Sequence, residues 1–173
     1  MKEFKVSLGL INPKSPTNVG AVMRAAGCYR VDLVFYTGER YVRAARFSTD
    51  TKNASLKIPL TGVTSLLDCL PANAQMVCVE FVEGAISLPE YRHPDNAFYI
   101  FGPEDGTIDQ EIIDRADAVV YVPTIGCMNL AASVNVVLYD RMAKSGLTLA
   151  NDELILRSRD TNNRVKIKTS GER

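Results

Sequence analysis

The stretch Phe98-Tyr-Ile-Phe-Gly-Pro-Glu-Asp-Gly-Thr-Ile108 joins an apolar run, a turn rich in glycine and proline, and the start of a helix. A short, largely aromatic run of this kind is typical of a buried strand. Gly102 ends the run, and its missing side chain lets a ligand approach the backbone. The chain repeats the order of strand, loop and helix, which predicts an α/β domain with a mostly parallel sheet flanked by helices.

The same patterns predict the other elements. Strands are expected at Phe4–Ile11, Val31–Tyr36, Gln75–Val82, Ala97–Phe101 and Ala118–Val122, and helices at Asn18–Tyr29, Thr61–Leu70, Ile108–Arg115 and Met128–Ala143. Thr17 or Asn18 would cap the first helix. The polar, basic stretch Thr37–Lys57 predicts a long loop with one helical turn.

Length and composition fit one globular domain. The chain has 173 residues, 46% of them hydrophobic and 23% charged. We expect one domain over residues 1–146 and a basic extension over 147–173. The chain has no apolar run long enough to span a membrane and no signal-peptide pattern, so we expect a cytosolic protein.

The cysteines do not suggest a metal site. The four cysteines include no CxxC pair, and His93 is the single histidine of the chain. Zinc sites need clustered Cys and His ligands, so no metal is expected. A reducing compartment also makes disulfides unlikely, so we expect free thiols, mostly in the core.

Charge is unevenly distributed although its sum is zero. Residues 14–57 hold eight basic and three acidic side chains, and residues 157–173 hold six and two. Residues 58–153 between them hold four basic and fourteen acidic side chains. Two basic regions that met in space could form an RNA-facing surface, although charged exposed loops are also ordinary.

Three segments that each follow a strand and lead into a helix carry the candidate chemistry. They contain Asn18-x-Gly20-x-x-x-Arg24, then Gly102-Pro-Glu104, and then Pro123…Met128-Asn129-Leu130 running on to Tyr139-Asp140. In an open α/β sheet, ligands bind beyond the carboxyl ends of the strands, where all three segments would lie. Singly, each residue has an ordinary alternative: the asparagines as helix caps, Arg24 as a solvated cation and Glu104 as a surface charge.

Together and in this order, the segments resemble the SPOUT methyltransferases, and within them the SpoU/TrmH family of tRNA and rRNA ribose 2′-O-methyltransferases. The resemblance extends from Phe4 to Met142. It implies an α/β fold whose C-terminal part forms a deep trefoil knot, which is a rare exception to the usual topology rules. It also implies S-adenosylmethionine as cofactor, RNA as substrate, and a homodimer whose site is completed across the interface.

The resemblance assigns roles to particular residues. The catalytic set would be Arg24, Asn18, Glu104 and Asn129. The cofactor would be held, largely through backbone groups, by Val79, Glu80, Phe101, Gly102, Pro103, Val122, Thr124, Ile125, Met128 and Leu130. The basic clusters of the chain, and not a family motif, suggest the RNA contacts: Lys14, Arg40, Arg43 and Arg46, with Arg157, Arg159, Arg164, Lys166 and Lys168 of the tail as further candidates.

A ribose hydroxyl is a poor nucleophile at neutral pH and must be activated. Because an arginine stays protonated, Arg24 is expected to act as an electrostatic partner of a forming alkoxide, or of the adjacent phosphate, and not as a simple base. Two alternatives stay open: base methylation on the same scaffold, and an RNA-binding protein without activity, which Thr107 and Cys127 motivate because they depart from the family pattern. A generic nucleotide-binding protein is weaker, since the chain has no Walker or GxGxxG fingerprint.

Overall fold

The computed structural model describes residues 5–46, 58–147 and 151–167. The strands within these ranges are β1 Val6–Leu10, β2 Leu33–Tyr36, β3 Leu60–Gly62, β4 Gln75–Val79, β5 Ile86–Ser87, β6 Ala97–Phe101 and β7 Ala118–Tyr121. The α-helices are α1 Pro16–Cys28, α2 Arg40–Ala45, α3 Gln110–Arg115, α4 Leu130–Lys144 and α5 Asp152–Ser158.

The described strands form one seven-stranded sheet in the order β3-β2-β1-β6-β4-β7-β5. All of its neighbouring pairs are parallel. Parallel neighbours need crossover connections, which here include helices on both faces of the sheet. The predicted fold class, a mostly parallel sheet flanked by helices, is confirmed. The trefoil knot stays a prediction.

Alternate residues of each central strand supply two cores. Along β6, Tyr99 and Phe101 face a core that includes the buried sides of α1 and α4. Phe98 and Ile100 face a second core against α3 and a 3₁₀ turn at Leu67–Cys69. Each such side chain, when fully buried, stabilises the fold by about 1.5–3 kcal/mol. The two cores fix the strand ends that carry the site.

The first helix begins two residues earlier than predicted. Pro16 opens α1, and the Ser15 hydroxyl caps it by accepting the Asn18 backbone N–H at 3.2 Å. The predicted caps, Thr17 and Asn18, are therefore wrong. Proline suits the first helical position because that position needs no N–H donor. The shift frees the Asn18 side chain for other partners.

The predicted helix at Thr61–Leu70 is also wrong. Leu60–Gly62 instead forms β3, in which Leu60 pairs with Val34 of β2, and one 3₁₀ turn follows at Leu67–Cys69. Pairing with an existing strand outweighs the weak helical pattern of this stretch. The two-residue strand β5 was not predicted. The helical turn expected in the basic loop is present as α2, and residues 47–57 of that loop lie outside the described residues.

The cysteines are less buried than expected. All four are free, but only Cys78 is buried; Cys69 is intermediate, and Cys28 and Cys127 are exposed. The prediction that most lie in the core is wrong, because Cys28 lies on the outer face of α1 and Cys127 in a loop. Burial, with a smaller contribution from the charge of Glu80, raises the pKa of the Cys78 thiol to about 12.

A buried polar network braces the amino edge of the sheet. The His93 ring lies between the Tyr99 hydroxyl, 2.5 Å from Nδ1, and the Asp140 carboxylate, 2.8 Å from Nε2. Arg141 of α4 donates to the Tyr99 hydroxyl and to the Pro94 carbonyl. These contacts tie the C-terminal half of α4 to the segment that precedes β6.

The network is consistent with a neutral histidine. If Nε2–H donates to Asp140, Nδ1 is free to accept the Tyr99 O–H. Burial lowers the pKa of His93 below its ordinary value of 6.5 and outweighs the hydrogen bond to Asp140, which acts in the opposite direction. Burial also raises the pKa of Tyr99 to about 12. Both shifts keep the network uncharged at the ring and the hydroxyl near pH 7.

The predicted C-terminal extension contains α5, which Asn151 caps by accepting the Leu154 N–H at 2.8 Å. Every residue of α5 is exposed. Residues 148–150 and Lys168 lie outside the described residues. The division between residues 146 and 147 stays a prediction.

Candidate functional site

The loops that follow β1, β6, β4 and β7 meet at the carboxyl edge of the sheet. These four strands are neighbours in the sheet order, so their carboxyl ends lie side by side. This edge is where α/β sheets bind ligands. The three segments predicted to carry chemistry therefore meet, although they are far apart in the sequence.

Glu104 is the centre of the contacts between two of these segments. One carboxylate oxygen accepts the Lys14 backbone N–H at 3.0 Å. The other accepts the Ser15 backbone N–H and the Asn18 side-chain Nδ2, both at 3.2 Å. The carboxylate thus holds the chain just before α1 and the first turn of that helix.

The Asn18 side chain connects Glu104 to the third segment. Its Oδ1 accepts Nδ2 of Asn129 at 3.0 Å, and Oδ1 of Asn129 accepts the backbone N–H of Ala131 at 2.9 Å and of Ala132 at 3.4 Å. Asn129 is therefore the N-cap of α4, one of the ordinary roles considered for it. We call the connected side chains of Glu104, Asn18 and Asn129 the polar relay.

The relay has one consistent direction. The first turn of α4 offers N–H donors, so Asn129 must present its oxygen there and its NH₂ group to Asn18. Asn18 then presents its oxygen to Asn129 and its NH₂ group to Glu104. Three donors converge on the Glu104 carboxyl group, and this arrangement favours its ionised form.

The protonation of Glu104 agrees with this direction. Partial burial alone would raise the pKa of the carboxyl, but hydrogen bonds from its own backbone, Lys14, Asn18 and Ser15 outweigh it and hold the pKa below 4.5. Both amides and both carboxylate oxygens are engaged within the relay. Asn18, Glu104 and Asn129 are thus arranged to position the site, and their predicted catalytic roles stay predictions.

A second set of contacts, made by Arg40, holds the loop that contains Glu104 and Asp105. Arg40 makes a two-pronged ion pair with Asp105, at 2.7 and 2.9 Å, and donates to the Asn12 carbonyl at 2.6 and 3.2 Å. Asn12 adopts a left-handed backbone conformation, with φ of 41°. The hydrogen bonds from Arg40 lower the pKa of Asp105. The Arg40 guanidinium is already engaged, so its predicted RNA contact stays a prediction.

A cavity lies beside the relay, between the strand ends of β4, β6 and β7. Nine of the ten predicted cofactor residues line it: Val79, Glu80, Phe101, Gly102, Pro103, Val122, Thr124, Met128 and Leu130. Ile125, the tenth, does not line the cavity and is fully exposed. The lining is mainly apolar, with loop backbone and two acidic side chains, Glu80 and Glu104.

Gly102 lies in the wall of this cavity, in close contact with Glu80 and Ile108. A Cβ atom at this position would lie 3.2 Å from Oε2 of Glu80 and 3.3 Å from Cγ1 of Ile108. Glu80 is itself fixed, because its carboxylate accepts the backbone N–H groups of Phe81 at 2.9 Å and Ile108 at 3.1 Å. A side chain on residue 102 would fill space between fixed groups.

The cavity includes residues that the sequence did not mark as site residues. They are Phe81, Gly106, Tyr121, Cys127 and Ser133. Phe81 and Tyr121 are the informative ones, since each lies next to the last residue of a predicted strand, Gln75–Val82 or Ala118–Val122. Position at a strand end is the signal that could have identified them.

Arg24 is not part of this assembly. It is exposed on α1 and does not line the cavity. Within the ranges that the structure describes, no hydrogen bond or ion pair involving Arg24 is present. The other predicted cations vary: Lys14 and Arg46 are exposed, Arg43 pairs with Glu39, and Arg157 pairs with Glu153.

Neither a metal-binding cluster nor a helix suited to span a membrane is present among the described residues. No cluster of three or more His, Cys, Asp or Glu side chains there could hold a metal ion. None of the described helices is both long and apolar enough to cross a membrane.

Several solved structures share this fold. An AdoMet-bound rRNA methyltransferase from Sinorhizobium meliloti matches with a TM-score of 0.70 at 18% identity, covering 84% of this chain and 58% of that one. A structure solved to explain 2-OH methylation of C/U34 on tRNA matches with a TM-score of 0.67 at 23% identity, covering 82% and 91%. The TrmH/SpoU tRNA modifying enzyme of A. aeolicus matches with a TM-score of 0.64 at 16% identity, covering 95% and 83%.

The chain thus spans about three-fifths of the length of the Sinorhizobium protein, 58%. Comparison with curated protein sequences found no significant match. The model of the SpoU rRNA methylase family, in contrast, matches residues 5–139. That range contains β1 to β7, the whole polar relay and the cavity. The chain belongs to the SpoU rRNA methylase family.

Proposed function

We propose that this protein is an S-adenosylmethionine-dependent RNA methyltransferase that methylates a ribose 2′-oxygen of tRNA or rRNA. The observation that carries the proposal is the polar relay, which ties the three motif segments together beside the cavity. The family match supports methyl transfer to RNA. The ribose is favoured over a base because the first motif carries Arg24.

The cavity fits the proposed cofactor. Val79, Phe101 and Leu130 supply apolar walls, and Gly102 leaves room that a side chain would fill. The acidic Glu80 and Glu104 suit a ligand that carries positive charge. When bound, S-adenosylmethionine would supply an electrophilic methyl group on a sulfonium sulfur.

Arg24 would act on the nucleophile. The bound cofactor would supply the methyl group, and the ribose 2′-hydroxyl would give its proton to solvent water as its oxygen takes up that group. Negative charge grows on the oxygen before the new bond is complete. A guanidinium beside that oxygen stabilises the charge, an effect that contributes about 3–4 kcal/mol in well-placed sites. Exposure of Arg24 leaves it available for this contact.

We also infer a homodimer in which Arg24 of one protomer serves the cavity of the other. Arg24 does not line the cavity of its own chain. Its helix packs against α4, and the outer faces of both helices carry small or apolar residues, which are Ala21, Cys28, Ala132, Val136, Tyr139 and Ala143. Val136 and Tyr139 are 37% and 57% exposed. A stripe of this kind suits a self-complementary two-fold interface.

Complementation between two inactive variants tests this arrangement. Arg24→Ala removes the cation, and Gly102→Val fills the cavity, so each homodimer should be inactive. Co-expression at equal levels should restore about one quarter of wild-type methyl transfer, because half of the dimers are mixed and each has one intact site. Arg24→Lys is the matched control for charge without the planar guanidinium.

The outcomes separate the alternatives. Arg24→Ala should bind S-adenosylmethionine like the wild type in calorimetry. Absence of complementation, with both variants folded and dimeric, would contradict the shared site. A monomer by light scattering at micromolar concentration would contradict the dimer itself. Absence of cofactor binding by the wild type would favour the RNA-binding protein without activity.

Basic side chains would bind RNA largely through contacts with its phosphates. Lys14, Arg43 and Arg46 lie on or next to the loops of the functional edge, and the tail adds further cations. Such contacts give affinity with little sequence specificity and weaken with salt. The RNA contacts and a cytosolic location are parts of this proposal.

A further inference from the structure

Two aromatic rings lie at the rim of the cavity. Phe81 follows β4 and Tyr121 ends β7, and these strands are neighbours whose residues Val79 and Val120 pair. The ring centroids are 5.9 Å apart and the planes are inclined by 47°. Both residues line the cavity. Two separate segments thus bring aromatic side chains to one side of the site.

The exposure of Phe81 is unusual for its place. The side chain is 48% exposed, although a buried phenylalanine would stabilise the fold by about 1.5–3 kcal/mol. A single exposed apolar residue needs no explanation by itself. Phe81, however, is in ring contact with a second aromatic residue and opens onto the cavity. Its exposed face is therefore available to a ligand in the site.

The backbone segments that carry the two rings are also held by other contacts. The Phe81 N–H donates to its neighbour Glu80, whose carboxylate also accepts the Ile108 N–H. Tyr121 is paired with Ser87 of β5. Holding both backbones before a ligand arrives reduces the entropy lost on binding. This is the behaviour expected of a preformed platform.

The chemistry of the cavity rim limits the kinds of ligand that can bind there. Glu80 and Glu104 line the same cavity, and their charges would repel a phosphate. An uncharged flat ring suits the aromatic pair instead. Stacking of a base on an aromatic side chain contributes about 1–3 kcal/mol and tolerates any base. Both reactants of the proposed methyl transfer carry such a ring.

We propose that Phe81 and Tyr121 form a stacking platform for a nucleobase at the rim of the cavity. The inference rests on the proposed function for the identity of its ligands. The base could come from the adenosine of the cofactor or from the RNA, and the same platform chemistry applies to both. Glu80 is then a positioning residue that holds the loop carrying Phe81.

The chain offers a direct reporter because it contains no tryptophan. Phe81→Trp would place the single tryptophan of the protein on the platform, where a stacked base should quench its fluorescence. Titration with S-adenosylmethionine alone and then with unmodified tRNA identifies the source. Tyr29→Trp, at the opposite edge of the sheet, is the control and should not respond.

Quenching by S-adenosylmethionine alone supports the platform and assigns the base to the cofactor. Quenching that requires tRNA also supports it and assigns the base to the RNA. Unchanged emission from a variant that binds both ligands by calorimetry overturns the proposal. Failure of the proposed function would give a different result from failure of the platform. The wild type would then bind no cofactor and transfer no methyl group, while the tRNA titration would still show whether a base stacks on the platform.

A conservative pair keeps the proposal testable if the tryptophan disturbs the loop. Phe81→Tyr should keep the affinity of the wild type. Phe81→Leu keeps an apolar side chain but loses the aromatic face, so its affinity for one of the two ligands should fall by about 5- to 150-fold. Tyr121→Phe and Tyr121→Leu repeat the test on the second ring. Wild-type affinity of both leucine variants for both ligands would overturn the platform.

Discussion

The two ends of α4 carry polar networks of opposite character. At its N-terminus, Asn129 joins the polar relay, which is open to solvent and lies beside the cavity. Toward its C-terminus, Asp140 and Arg141 join a network around His93, whose side chain is only 4% exposed. One helix thus connects the carboxyl edge of the sheet, which carries the candidate site, to the amino edge, which carries the network around His93.

The difference shows where polar groups serve function and where they serve stability. At the amino edge, the His93 ring and the Tyr99 hydroxyl are buried, so leaving either without a partner would cost folding free energy. At the carboxyl edge, water can replace lost partners, so the same loss mainly alters geometry. We therefore expect variants of the two edges to separate activity from stability.

The largest effect is expected from Glu104→Gln. The glutamine side chain has one acceptor oxygen, and its NH₂ group only donates. It therefore cannot accept the N–H groups of Lys14, Ser15 and Asn18 on two oxygens as the carboxylate does. A shift of about 1 Å in the loop can lower activity about 100-fold, whereas the free energy of unfolding should fall by only about 1 kcal/mol. Single-turnover methyl transfer and urea unfolding measure the two effects. Glu111→Gln, which changes an exposed side chain of α3, should change neither.

Tyr99→Phe should produce the reverse result. It removes a buried hydroxyl from His93 and Arg141, which should lower the free energy of unfolding by about 1–3 kcal/mol. Methyl transfer at a temperature where the variant stays folded should be close to that of the wild type. A large loss of activity without loss of stability would show that the braced edge takes part in the reaction.

The two edges should also differ in pH dependence. The pKa of His93 is lowered in the folded protein, so its contribution to stability is complete above 6.5 and is lost as pH falls below that value. The pKa of Glu104 is lowered as well, so its contribution is complete above 4.5 and is lost below it. Urea unfolding across pH 7.5 to about 4 should therefore show a first loss that His93→Gln removes. Persistence of that loss in the variant would assign it to another group.

Much of the site could be predicted because strand ends can be read from the sequence. Asn18, Glu104 and Asn129 each follow a predicted strand, and the carboxyl ends of parallel strands meet at one edge. The contacts among them agree with that expectation. The ordinary alternatives were informative too, since Asn129 does cap α4, whereas Ser15 rather than Asn18 caps α1.

Other features depend on the order of strands, which local patterns do not contain. Phe81 and Tyr121 meet only because β4 and β7 are neighbours in the sheet, although β5 and β6 separate them along the chain. The ion pair of Arg40 with Asp105 joins residues 65 positions apart. The helix predicted at Thr61–Leu70 failed for the same reason, because pairing with β2 decides the structure of that stretch.

The central claim is methyl transfer to a ribose oxygen, and analysis of the modified nucleoside tests it most directly. The protein would be incubated with S-adenosylmethionine carrying an isotopically labelled methyl group and with unmodified tRNA and rRNA, and the RNA digested to nucleosides for mass spectrometry. We expect the label in a 2′-O-methyl nucleoside, and none after incubation with Arg24→Ala. Label in a methylated base, or no label from a protein shown to be folded and supplied with its cellular RNA, would contradict the claim.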